Sequence, residues 1–239
     1  MKNILAILTL TFSSLVCAQQ IKFENRAFEK SVLTANPEMD KDHNGKISQE
    51  EAQSITELDL MELDLTNAND VKYFKNLKYL SLTINNIKTF EISDLEYLEK
   101  LYIARNNLKE FKISNLPALK TLACGVNPLE KVKIKDCPNI ESLNIMDSQL
   151  KELNVTEFKK LKYLTVDGNK LKNLDLSSNL ELIQISINNN RIDTIDITKN
   201  QKLEMHILYI DEKVKIIGTD EQMKKYNPGP RLIEMQEKQ

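Results

Sequence analysis

The sequence predicts a β-dominated solenoid of the right-handed α/β superhelix class, closed at its N-terminal end by a small helical cap. Three observations predict it. Apolar residues recur with a period of 21 residues through the middle of the chain, and a constant period of this size marks a stacked repeat architecture. Within each copy apolar and polar residues alternate, as they do on a short strand with one buried face. Just before the first copy, "DKDHNGKISQEE" (residues 40–51) spaces oxygen-bearing side chains two apart around a single glycine, the pattern of a folded loop.

The 239 residues include 33 basic and 35 acidic ones, with a formal net charge of −2. The charges are interspersed, which argues against nucleic acid or an anionic lipid surface as the main partner. Residues 1–18 read as a signal peptide: Lys2 supplies the positive start, Ile4 to Val16 the apolar core, and Val16-Cys17-Ala18 a small-residue cleavage site. A lipid-anchored reading of Cys17 would want Gly, Ala or Ser where Val16 stands. The apolar stretch is too short to span a bilayer. The expectation is a soluble, monomeric, exported chain, periplasmic or extracellular, that does not span a membrane.

Residues 19–54 form the expected cap. A helix over roughly Glu24 to Thr34 places Phe28, Val32 and Leu33 on one face, and Pro37 ends it by removing an N–H and turning Asn36 away from helical angles. In the loop that follows, Asp40, Asp42 and Asn44 occupy positions 1, 3 and 5, Gly45 position 6 and Glu51 position 12. This order resembles the calcium loop of EF-hand proteins. The resemblance implies Ca2+ held by Asp40, Asp42, Asn44, the Lys46 carbonyl, Ser48 through a water, and both oxygens of Glu51, with Ile47 pinning the loop to the core. His43 falls at a non-ligand position. Pro37 departs from the family, whose entering helix runs straight into the loop. A second loop is absent from the sequence, so a structural role for the metal is expected rather than a sensor's switch.

The repeats occupy 55–211. Copies begin at Leu77, Leu98, Leu119, Ile140, Leu161 and Leu182, with a looser first copy at Ile55 and a degraded last one at Leu203. Positions 4 and 6 of each copy point inward and positions 3, 5 and 7 outward. Asn85, Asn106, Asn127, Asn169 and Asn190 stand at position 9, with Ser148 and Asp211 as polar substitutes. The second halves ("FEISDL", "FKISNL", "VKIKDC", "LNVTEF", "LDLSSN", "IDITKN") read as short extended segments on the convex side. The pattern L-x-x-L-x-L-x-x-N-x-L resembles the leucine-rich repeat, and is similar to the short repeats of secreted bacterial internalin-like proteins. That resemblance covers about two-thirds of the chain. Cys124 and Cys137 fall on interior slots and are expected as buried, unpaired thiols. Residues 212–239 should close the far end with a strand, Val214 to Asp220, and a loose polar tail. His206 sits at a core leucine position of the last copy, where the cap should cover it.

A catalytic reading has little to rest on: two histidines, 5 glycines, no nucleophile elbow and no phosphate-binding loop. Glu57, Asp59 and Glu62 read as a solvated edge. On the concave face Tyr79, Tyr102, Arg105 and Tyr163 are the residue types enriched at interface hot spots. They suggest a recognition module for a protein or glycan; the alternative is an envelope spacer with no specific ligand.

Overall fold

The computed structural model describes residues 19–226, so the expected signal peptide, 1–18, and residues 227–239 of the tail lie outside the described residues. The chain is a leucine-rich-repeat solenoid. Seven three-residue strands (Glu57–Asp59, Tyr79–Ser81, Lys100–Tyr102, Thr121–Ala123, Ser142–Asn144, Tyr163–Thr165, Gln184–Ser186) pair in parallel and in chain order into one concave sheet. One strand comes from each of coils 1 to 7. Their central residues, Leu58, Leu80, Leu101, Leu122, Leu143, Leu164 and Ile185, stack in register. All are buried, as are Leu60, Leu82, Ile103, Cys124, Ile145, Val166 and Ile187 two residues on. An apolar residue at every coil works because a solenoid interior is one continuous apolar column.

The chain then turns into the interior, where backbone groups have no strand to pair with. The position-9 asparagines answer this need. Asn127 Oδ1 accepts from Asn106 N and Leu108 N at 3.1 Å each, and its Nδ2 donates to the carbonyls of Ile103 at 3.0 Å and Cys124 at 2.9 Å. Asn85, Asn106, Asn169 and Asn190 bond in the same way across neighbouring coils. Between Asn85 and Asn190 the ladder breaks once, at Ser148. Its hydroxyl reaches only Met146 O, at 3.3 Å, so Leu129 N turns back to Asn127 O in its own coil.

On the convex side three five-residue strands, Thr89–Ser93, Glu110–Ser114 and Lys131–Lys135, form a second parallel sheet that ends at coil 4. Its last strand leaves Val132 and Ile134 only partly buried. In coils 5 to 7 the convex turns are held locally instead: Asn154, Asp175 and Asp196 accept from the N–H groups of Thr156, Ser177 and Thr198. A second ladder begins there. Asn179 Nδ2 donates to Val155 O and Phe158 O, and Asn200 Nδ2 to Leu176 O and Asn179 O. A short C-terminal helix, Asp220–Lys225, ends it: Gln222 Nε2 donates to Ile197 O at 2.9 Å and Asn200 O at 3.2 Å.

The far end corrects two expectations. A 3-10 turn, Met205–Ile207, extends the last coil by two residues, so Tyr209, not Ile207, pairs with Ser186. Met205 takes the buried slot and His206 is exposed, 70% at its side chain. The tail also starts later than expected, because Lys224 and Lys225 close the helix. The closing strand is Lys215–Ile217, paired with Thr194–Asp196. Cys124 and Cys137 are buried and free. Burial pushes their thiols up to about 12 and about 11, which leaves them unreactive near neutral pH.

The broken rung generates a test. Ser148→Asn restores the cross-coil acceptor for Leu129 N and should raise stability by about 1–2 kcal/mol; Asn127→Ala orphans buried backbone groups and should cost about 2–4 kcal/mol. Denaturant melting of the two variants checks both signs.

Candidate functional site

Two regions gather the residues singled out above. The first is the cap. A ten-residue helix, α1 (Arg26–Ala35), is capped by Asn25, whose Oδ1 accepts from Ala27 N and Phe28 N. It ends at Asn36, and a 3-10 turn from Pro37 to Met39 leads to the loop. A second helix, α2 (Gln49–Ser54), leaves the loop through a capping box: Ser48 Oγ accepts from Glu51 N while Glu51 Oε2 accepts from Ser48 N. The carboxylate oxygens of Asp40, Asp42 and Glu51 lie within 4.8 Å of one another. Asn44 Oδ1 accepts from Lys46 N, and Gly45 takes the left-handed φ of 74° that position 6 demands. Burial raises the Asp40 carboxyl, but hydrogen bonds from Gly45 N and Asn44 N outweigh it and hold the group below its ordinary range. Glu51 is likewise lowered, with burial opposed by donors from Ser48 and Lys41. Both ions are thus kept charged and close together, which suits a hard divalent cation.

The sequence reading missed what pairs with this loop. Gln20 bridges Ser48 antiparallel, Ile21 N donates to Ile47 O at 3.0 Å, and Gln49 N donates to Gln19 O at 2.9 Å. An extended N-terminal segment thus occupies the edge of the lone loop. Met39 and Ile47, on either side of the acidic residues, are buried in the same core as Phe28 and Phe74. Phe23 lies 5.5 Å from Tyr73, and Phe28 lies 6.4 Å from Phe74, so aromatic contacts join cap to coil 1. Asp70 Oδ2 accepts from Asn25 N at 2.7 Å, tying the two further.

The second region is the concave face. Tyr79 and Tyr102 stand on adjacent strands with ring centroids 5.6 Å apart and an interplanar angle of 46°. Both are half-buried. Burial, then Asp59, pushes the Tyr79 hydroxyl above its usual range. Arg105 lies in the next turn and is exposed. Tyr163 does not join them: it is 45% exposed on coil 6, three strands from Tyr102. Where the sheet turns out, position 8 is left-handed in every coil from 1 to 7: Glu62, Ile84, Arg105, Val126, Asp147, Gly168 and Asn189 have φ between 47° and 65°. Glycine, asparagine or aspartate adopt this readily; Ile84 and Val126, β-branched, do not.

On the edge beside the sheet, Lys78, Glu99, Lys120, Glu141 and Lys162 follow one another at 21-residue spacing, with Glu99–Lys120 and Glu141–Lys162 each paired at 2.8 Å. Hydrogen bonds from Lys120 and Lys162 lower the two glutamates. Such exposed pairs stabilise little individually. His43 and His206 are both exposed.

No family model and no curated protein matches the chain. Solved structures do. The chain is similar to an internalin (inlF) from Listeria monocytogenes str. 4b F2365, with a TM-score of 0.64 and 23% identity over 86% of this chain. It spans 62% of that structure's length. Internalin C2 (inlC2) from the same strain is similar at a TM-score of 0.52 and 17% identity, covering 82% of this chain and 93% of that one. The leucine-rich repeat domain of LRIM1 is similar at a TM-score of 0.52 and 14% identity, over 71% of this chain and 68% of that one. Identities this low establish the fold.

The strain at Ile84 can be measured. Ile84→Asn relieves about 1–2 kcal/mol of left-handed backbone cost and exposes apolar surface worth about 1 kcal/mol, since the side chain is already 42% exposed. Thermal melting should show stability unchanged or raised by up to about 1 kcal/mol; a loss beyond about 1 kcal/mol would make Ile84 an ordinary core residue.

Proposed function

We propose that the chain is an exported, calcium-stabilised leucine-rich-repeat recognition module that holds a protein partner on its concave sheet. The observation that carries the recognition reading is the Tyr79–Tyr102 pair, two half-buried rings 5.6 Å apart on neighbouring strands. Tyrosine offers a large, rigid, amphipathic contact area at small entropic cost. Glu57 and Lys100 stand opposite Tyr79 on the strands to either side, with Asp59 also acting on Tyr79, so both signs of charge border the rings, a rim that fixes orientation more than affinity. Export is supported by the charge, length and cleavage pattern of residues 1–18. No helix among the described residues is long and apolar enough to cross a membrane.

Calcium is the cofactor whose chemistry suits the loop. Asp40, Asp42, Asn44, the Lys46 carbonyl and Glu51 would hold it, with Ser48 contributing through water. The bound ion would neutralise three converging carboxylates. Met39 and Ile47 bury the loop's shoulders against coil 1, so an ion that fixes the loop also fixes the end of the apolar column. This is a stabilising role. A loop edge already occupied by residues 19–21 leaves no second hand for a sensor's opening motion.

Two experiments test the reading. With a dissociation constant of about 0.1 mM and calcium at about 2 mM, binding should add roughly 2 kcal/mol to the stability of the cap and first coils. Glu51→Gln should abolish that gain; glutamine keeps the capping box but gives up the acceptor for Lys41 N, so the calcium-free variant should lose about 1 kcal/mol that calcium does not restore. Identical melting in calcium and in chelator would reject the metal. For the concave face, a partner captured from envelope or medium should lose more than about 2 kcal/mol of affinity in the double variant Tyr79→Ala, Tyr102→Ala. Undiminished binding would move recognition elsewhere or favour a spacer.

A further inference from the structure

The position-8 column at the rim of the concave sheet carries a pattern that neither folding nor the tyrosine pair requires. Its residues are joined coil to coil by backbone hydrogen bonds: Glu62 N to Thr83 O, Ile84 N to Ala104 O, Arg105 N to Gly125 O, Val126 N to Met146 O, and Asp147 N to Asp167 O, at 2.7 to 3.2 Å. The column therefore presents one side chain per coil, about 4.8 Å apart. Read along the axis it is acid, apolar, base, apolar, acid. Glu62, Arg105 and Asp147 are exposed, Ile84 is 42% exposed and Val126 half-buried. None of the three charged side chains has an ion-pair partner among those found in the described residues. Two β-branched residues keep left-handed φ values of 55° and 54° where coil 6 uses glycine and coil 7 asparagine. Strain of this sort, kept at exposed positions, points to a function.

Resting on the concave-face reading, we infer that this column docks an amphipathic helix of a partner protein lying along the solenoid axis. Its contact stripe would read base, apolar, acid, apolar, base. The charge order fixes the stripe, and the spacing argues for a helix. Five coils span about 19 Å at the sheet spacing. Four helical turns span about 22 Å and bring one side chain to each coil. An extended strand offers a same-face side chain only every 6.6 to 6.8 Å, so five of them stretch over about 27 Å and fall out of step within two coils. Met61 and Met146 border the column at each end, and Met146 lies over Gly125, where its Cγ would be 3.2 Å from an added Cβ. Methionines of this kind adapt to a varied apolar stripe.

The probe is a synthetic helical peptide of about five turns with Lys, Leu, Glu, Leu and Lys at i, i+4, i+7, i+11 and i+14. Its control exchanges the Lys and Glu of the stripe and balances net charge on the far face. Fluorescence anisotropy with the full mature chain should give the matched peptide at least tenfold tighter binding than the control. Arg105→Glu should erase or reverse that preference. Ile84→Asn should weaken the matched peptide at least fivefold while the melting temperature holds or rises, which separates lost contact from lost fold. Equal binding of the two peptides, binding of neither, or a preference unaltered in Arg105→Glu overturns the inference. If the tyrosine double variant loses its captured partner while the peptides are not discriminated, the concave site stands and the helix fails.

Discussion

Where each coil leaves its concave strand, the chain has to turn inside an apolar interior, and the amides of that turn face no neighbouring strand. A buried backbone N–H or carbonyl without a partner costs about 1–3 kcal/mol, and the need recurs at every coil. Asparagine meets it because one planar amide both donates and accepts. Asn85, Asn106 and Asn127 reach back 19 to 25 residues to the preceding coil and also bond their own strand. Strand register, leucine stacking and the curvature of the face all presuppose that the turn is closed this way. The far end repeats the device on the other wall with Asn179, Asn200 and Gln222.

The same turn shapes the surface proposed for recognition. Reversing the chain immediately after the strand forces position 8 into left-handed space in coils 1 to 7, so a row of side chains is lifted onto the rim of the sheet at one residue per coil. A protein selected for stability alone would fill that row with glycine and asparagine, as coils 6 and 7 do at Gly168 and Asn189. Coils 1 to 5 carry Glu62, Ile84, Arg105, Val126 and Asp147 instead. The two halves of the solenoid differ in other ways as well. The convex sheet stops at Lys131–Lys135, the inner ladder lapses at Ser148, and the second asparagine ladder starts only at Asn179. The residues proposed for recognition gather on the half that the cap braces.

Much of this was legible in the sequence because a solenoid is quasi-one-dimensional: a residue's environment follows from its place in the period. Leu80, Leu101 and Leu122, the asparagines at position 9, both cysteines and the adjacency of Tyr79 and Tyr102 could be placed by counting. Counting failed where the period did. The 3-10 turn at Met205–Ile207 shifts the last coil by two residues and turns His206 out. In the sequence Asn179 and Asn200 read only as the ends of the extended convex segments, since a turn asparagine and a buried ladder asparagine have the same local sequence; their alignment with Leu116, Cys137 and Phe158 was the available signal. The loop residues 40–51 were named by spacing, whereas the pairing of Gln19 to Ile21 against Ile47 and Gln49 depends on tertiary placement and left no mark in the pattern. Tyr163 shows that residue type alone groups poorly on the concave side: counting the period already sets it three strands from Tyr102.

Native-state hydrogen exchange tests the central claim, that asparagine side chains close the coils, most directly. The amides of Leu65, Ile87, Leu108, Leu150 and Leu171 each donate to the Oδ1 of an asparagine in the next coil, whereas Leu129 donates to Asn127 O two residues before it. All six leucines and isoleucines are buried, so burial alone would protect them alike. The ladder account predicts that Leu129 exchanges at least tenfold faster than Leu108 and Leu150 on either side, an opening free energy lower by about 1.4 kcal/mol or more. Equal protection at Leu129 and its neighbours would contradict it.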